Sequence, residues 1–233
     1  MRLIKIALLT CLILLNVCLF VQAEEFRWAR VKFKTVEPNP QEPWNIEPKI
    51  DERFLTHLER FSSLKVDKTW NVVPLDNLEK MSKFPLLFMT ASGTPDLSDT
   101  ELKNLKEYLD RGGTLLADDS HWPEKGGNIF FRGMKKYFDR MYPKLTVKPL
   151  PLSHPVLHCF FEIPYGYYFK LYYKEDKSDM SPSGLWALLD EKGRCMVLFS
   201  LLVQNTWGGD FSPAHLEESV KIGVNLVIYS MTN

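Results

Sequence analysis

The chain has 233 residues, 45% hydrophobic and 25% charged, which suffices to bury one sizeable core as a single domain. Its 29 basic residues balance 29 acidic ones, so it lacks the charge excess of a polyanion binder and nucleic acid is not expected as a partner.

Residues 1–23 are read as a targeting signal. Arg2 and Lys5 precede the apolar run Ile6 to Val21, and Val21-Gln22-Ala23 suits small-residue cleavage before Glu24. The run is short for a spanning helix, so the expectation is export to the periplasm or cell surface with no retained span; a retained anchor is the rival. Cleavage removes only Arg2 and Lys5, leaving 27 basic against 29 acidic residues, a net charge of −2. Residues 24–233 are expected to form one α/β domain.

Phe26 to Phe33 alternates large apolar and basic residues, as an opening strand would. A Pro-rich loop, Thr35 to Trp44, leads to a helix opened by Pro48, with Ile50, Phe54, Leu55, Leu58 and Phe61 as its stripe. Trp70 to Leu75 reads as a strand, followed by a helical turn around Leu78 and Met81. Pro85 to Thr90 is a short apolar strand that empties into the turn Ala91-Ser92-Gly93-Thr94. Ser98 and Glu101 have capping-box spacing, and Leu97 and Leu102 the spacing of a hydrophobic staple. Leu102, Leu105, Tyr108 and Leu109 make the helical stripe, which Gly112-Gly113 ends. The strand Gly113 to Ala117 then delivers Asp118-Asp119-Ser120-His121-Trp122 at its carboxyl end, where open α/β sheets keep their ligands.

Further on, Met134 to Met141 reads as a helix, Leu145 to Leu150 as a strand, and His154-Pro155 to His158 as extended chain. Phe160 to Tyr173 is dense in aromatics and carries no clear period. Leu185 to Leu189 and Arg194 to Leu202 form a hairpin around Asp190 to Gly193, Asn205 to Asp210 reads as a loop, and Pro213 to Ser230 as the last helix. Cys159 and Cys195 lie in apolar runs that suit small buried hydrophobes, and pair only if their strands are neighbours. The fold class is α/β: a doubly wound, mainly parallel sheet with a late antiparallel hairpin.

The elements Phe26-Arg-Trp-Ala-Arg, Trp44, Phe84-Pro-Leu-Leu-Phe, Leu97-Ser-Asp-Thr-Glu, Tyr108-Leu-Asp-Arg-Gly-Gly, Leu115-Leu-Ala-Asp-Asp, His154-Pro and Gly223-Val-Asn225 together resemble the bacterial domain-of-unknown-function family 4159, from about Phe26 to about Ser230. The resemblance implies a class I glutamine amidotransferase-like or flavodoxin-like fold and an envelope setting, with no established activity. The chain departs from that family's pattern near Gln204 to Asp210, where an acidic residue usually follows the last core strand more closely.

An amidotransferase needs a cysteine on a tight strand-to-helix elbow. The corresponding turn, Thr90 to Thr94, has none, and Ser92 there lacks a Gly-x-Ser-x-Gly setting. The loop after the first strand carries acids and prolines instead of a phosphate cradle, and no Gly-x-Gly-x-x-Gly follows any strand, so neither flavin nor NAD is expected. Asp119 and His121 would face one side of a strand end, about 6–7 Å apart, where a divalent metal could bridge them or a carboxylate act as a base. The structural reading is that Asp118 or Asp119 caps the next helix or loop. His154 is expected near the same sheet edge, with Arg132 and Arg194 as candidate cations and Trp44 beside the cleft. His154 and His158, about 13 Å apart on a strand, cannot share one ion.

These residues point first to a non-catalytic domain of the cell envelope binding a small ligand or an envelope protein. The alternative is a hydrolase using Asp119, His121 and His154, with or without a metal. A structural subunit of a surface-assembly complex is a third reading.

Overall fold

The computed structural model of the protein describes residues 25–36, 43–45, 47–120 and 128–232. The targeting signal, His121 and Trp122 lie outside these residues. In chain order the elements are β1 (Phe26–Lys32), β2 (Lys34–Thr35), α1 (Pro48–Phe61), β3 (Val66–Pro74), α2 (Leu78–Met81), β4 (Leu86–Ala91), β5 (Pro95–Asp96), α3 (Asp99–Asp110) and β6 (Thr114–Asp119). They continue with α4 (Ile129–Met141), β7 (Lys148–Pro149), β8 (Trp186–Leu189), β9 (Cys195–Leu201), α5 (Val203–Gly208) and α6 (Pro213–Thr232).

The main sheet runs β3-β1-β4-β6-β9-β8-β7. Its first five strands are parallel and, counted along the chain, lie in the order 2-1-3-4-5 of flavodoxin-like sheets. The β8–β9 hairpin adds the expected antiparallel strands, with β7 at the edge. Strands buried on both faces should be continuously apolar, and Leu86 to Ala91 and Cys195 to Leu201 are buried throughout. One core layer joins Leu87, Met89, Leu115, Ala117 and Phe199 to α3 and α4. The other joins Trp28, Phe88, Leu116 and Leu198 to α1, α5 and α6. Each fully buried large apolar side chain contributes about 1.5–3 kcal/mol to this core.

Local signals set several element ends. The Ser98–Glu101 capping box forms, with Ser98 N donating to Glu101 Oε2 at 2.8 Å and Glu101 N to Ser98 Oγ at 3.3 Å. At the other end of α3, Gly112 takes φ +103°. The Tyr108 ring lies so close over Gly113 that a Cβ there would meet it at 2.3 Å.

Five expectations need correcting. β3 starts at Val66, because Val66 and Asp67 pair with Phe26 and Arg27 despite their polar surroundings. α4 starts at Ile129, five residues before Met134, since the apolar Phe130 and Phe131 fold inward. Asn205 to Asp210 is no loop: Val203 to Gly208 is helical and buries Trp207. His154 to His158 is not simply extended, because Pro155–Leu157 forms a 3-10 turn and only His154 keeps the extended backbone that a following proline imposes. Phe61, placed on the inward stripe of α1 by its spacing, is half-exposed, and Cys159 and Cys195 are both free.

Replacing Ser98 by alanine removes the acceptor for Glu101 N while leaving the core intact. The expected cost is about 1 kcal/mol, read as a lower urea midpoint at unchanged m-value.

Candidate functional site

The order of strands reverses between β1 and β4, so their carboxyl ends border the crevice where doubly wound sheets take ligands. Phe26, Trp28 and Arg30 share one face of β1, and that face is covered, so Arg30 is buried to 1% exposure. A guanidinium held there needs an acid. Asp51 supplies it from the inward side of α1, on one stripe with Phe54, Leu55 and Leu58. Arg30 Nε donates to Asp51 Oδ2 at 2.6 Å and Nη2 to Oδ1 at 2.7 Å, and Trp28 Nε1 adds a bond to Oδ2 at 3.0 Å. Arg30 Nη1 also donates to the Trp44 carbonyl at 3.3 Å, which ties the 3-10 turn Pro43–Asn45 against β1 and β4.

Trp44 is half-buried there. It stacks on Trp70 with ring centres 6.1 Å apart, and Lys32 Nζ lies 4.8 Å from its ring centre. The switch point is therefore packed largely by the protein's own side chains.

The two aspartates that end β6 point to opposite faces of the sheet, as successive strand residues must. Asp118, beside Thr90 on β4 and Ser200 on β9, faces α5. Its Oδ1 accepts from Ser200 Oγ at 2.7 Å and Val203 N at 3.0 Å, and its Oδ2 from Gln204 N at 3.1 Å. Burial pushes its carboxyl up to about 6, against the opposing pull of those donors and of Arg30. Asp119 faces α4 and accepts from Phe131 N at 2.9 Å, capping a helix whose own N-cap residue, Asn128, makes no side-chain cap. Both carboxylates are fully buried and act as helix caps supplied from a neighbouring strand.

The other candidates do not join them. His154 lies at the opposite, amino-terminal edge of the parallel strands, so the expected approach to Asp119 does not occur. Its Nδ1 accepts from Val156 N at 3.2 Å, which leaves the proton on Nε2 to be donated to Gly193 O at 3.1 Å. Burial holds the imidazole below its ordinary range. Arg194 is at that edge too, donating to Leu109 O at 2.7 Å, Gly113 O at 3.2 Å and Asp190 Oδ2 at 3.3 Å.

Ser92 sits half-buried in the bend after β4, at the same edge as the aspartates. Arg132 lies on α4, 3.6 Å from Glu175, with its Nε buried and unpartnered. Among the described residues no three His, Cys, Asp or Glu side chains are placed to hold a metal ion; the pairing of Asp119 with His121 falls outside them.

Arg30 and Asp51 were absent from the candidates drawn from the sequence. Parity with Phe26 and Trp28, and the place of Asp51 on the α1 stripe, carried the signal. Thr90 Oγ1 and Trp207 Nε1 are further buried polar atoms of this region without partners.

Asp51→Ala leaves Arg30 charged in the core and is expected to cost about 3–5 kcal/mol, whereas the double variant Arg30→Met/Asp51→Leu recovers most of it in urea unfolding. Asp118 gives a pH signature. The folded carboxyl keeps its proton up to about pH 6 while the unfolded one releases it near 3.8, so the folded state binds more protons between those values. Stability contributed through Asp118 is therefore greatest below the lower value and falls as pH rises through the upper one, by on the order of 2–3 kcal/mol. Asp118→Asn should remove that fall. Parallel stability–pH curves for variant and wild type from pH 4 to 7.5 would contradict it.

Comparison with curated proteins gives no match. A family model described as a domain of unknown function (DUF4159) matches residues 27–231, which includes nearly all of the described fold. The chain with the buried Arg30–Asp51 pair and the twin capping aspartates is therefore a member of the DUF4159 family.

Proposed function

We propose that this protein is a non-catalytic binding domain of the cell envelope, exported by its N-terminal signal and recognising a small ligand or another envelope protein. The observation that carries this reading is the chemistry at the carboxyl edge of the sheet. The elbow position after β4 offers Ser92 and no cysteine, and the two acids one strand away are spent as helix caps. The imidazole that could have served as a base, His154, is at the opposite edge and bonded to Gly193. A nucleophile needs a base within hydrogen-bond reach and a group to orient that base. Among the described residues Ser92 makes no hydrogen bond to an acid or imidazole. Export is supported by Arg2, Lys5 and the run Ile6 to Val21.

The test is a panel of ester, amide and phosphate-ester substrates with the purified protein, Ser92→Ala and Asp119→Asn in parallel. No turnover above the buffer rate is expected from any of them. Wild-type turnover that collapses in either variant overturns the reading.

A further inference from the structure

A groove of about 420 Å³ runs between α4 and the residues that follow the Ser92 bend. Thr94 and Pro95 form one wall, and Ile129, Arg132, Gly133, Lys136 and Tyr137 form the other. Gly133 lets the helix approach closely, since a Cβ there would lie 2.5 Å from Pro95 Cδ. Among the described residues that form the walls, two are cations and none is an acid.

The other basic residues of this helix are neutralised at short range. Lys135 pairs with Asp139 at 2.8 Å and Arg140 with Asp99 at 3.4 Å. Lys136, in contrast, forms no ion pair among the described residues. Among the described residues Arg132 pairs only with the exposed Glu175 at 3.6 Å, and its Nε is buried with no acceptor. The groove starts at the positive end of a 13-residue helix. At that end Asn128 is buried to 1% exposure with both Nδ2 and Oδ1 unpartnered, and Asp119 takes the Phe131 N–H from the sheet side. Of these unpartnered atoms Arg132 Nε belongs to a residue that lines the groove; a buried donor without an acceptor is costly, and an oxygen of a bound anion would remove that cost.

We infer that this groove binds the phosphate group of a small ligand, with Arg132 and Lys136 as its cationic contacts. Arg132 and Lys136, four residues apart on one helix face, lie within span of a single compact dianion. The guanidinium fork matches phosphate geometry, and the ammonium adds a second charge. This rests on the binding reading above and adds the ligand's chemistry.

The experiment is calorimetric titration of the protein with inorganic phosphate and with glycerol 3-phosphate, against sodium chloride at equal ionic strength. Saturable binding of phosphate is expected, about tenfold weaker in Arg132→Gln and in Lys136→Gln. Lys135→Gln, whose charge is already paired, should bind as wild type does. Absence of phosphate binding overturns the site, as does binding that both groove variants retain. Binding to phosphatidylglycerol vesicles without binding of free phosphate also overturns it. Failure here leaves the non-catalytic reading standing, whereas hydrolysis of glycerol 3-phosphate with intact binding sinks that reading and keeps the groove.

Discussion

Two consecutive carboxylates at the end of one central strand hold the carboxyl edge of this fold together. Because side chains alternate across a sheet, Asp118 and Asp119 leave β6 in opposite directions, and each meets the N-terminus of a helix on its own face. α5 and α4 both begin from left-handed residues, Leu202 and Asn128, that supply no side-chain cap. The strand supplies what local sequence does not. A helix N-terminus buried without such acceptors would leave its first N–H groups unpaired, at about 1–3 kcal/mol each. The arrangement also places the Asp119 carbonyl to accept from Leu202 N, so one strand end fixes both the turn into α5 and the start of α4.

The same arrangement governs chemistry. A carboxylate serves as a base only where a substrate can reach it, and these are fully buried with their lone pairs committed. Arg30 follows the same logic one layer deeper. It is fixed by Asp51 in a two-pronged pair, and its further bond to the Trp44 carbonyl places the 3-10 turn over the switch point. Polar groups here serve the architecture.

The sequence made the fold legible because its local signals agree with one another. The Ser98–Glu101 box, the Leu102 to Leu109 stripe and the Gly112 stop each specify the same helix, and the alternation of strands with such helices specifies the winding. α5 was unreadable for a physical reason. Asn-Thr-Trp-Gly-Gly has the composition of a loop, and the segment is helical because Asp118, 85 residues earlier, caps it and Phe54 stacks on Trp207 at 4.1 Å. The candidate site was legible only in part. That Asp118 and Asp119 lie at a carboxyl strand end follows from the βαβ pattern. The placement of His154 and Arg194 required knowing which end of β9 faces which way, and no local pattern encodes that. Arg30 was missed because the alternation of apolar and basic residues along Phe26 to Phe33 reads as one solvated face, whereas Arg30 shares the covered face of Phe26 and Trp28.

The cations of this fold differ in how their charge is met. Arg30, Arg194, Lys135 and Arg140 each have acceptors within the protein; the buried Arg30 pair is part of the core, whereas the pairs of Lys135 and Arg140 lie at the surface and contribute little to stability. Among the described residues no acid lines the groove that Arg132 and Lys136 share, and like charges four residues apart on one helix face carry a repulsive term. The carboxyl edge of this sheet therefore divides into a closed half, built around Asp118, Asp119 and Arg30, and an open half along α4, where the proposed phosphate site lies.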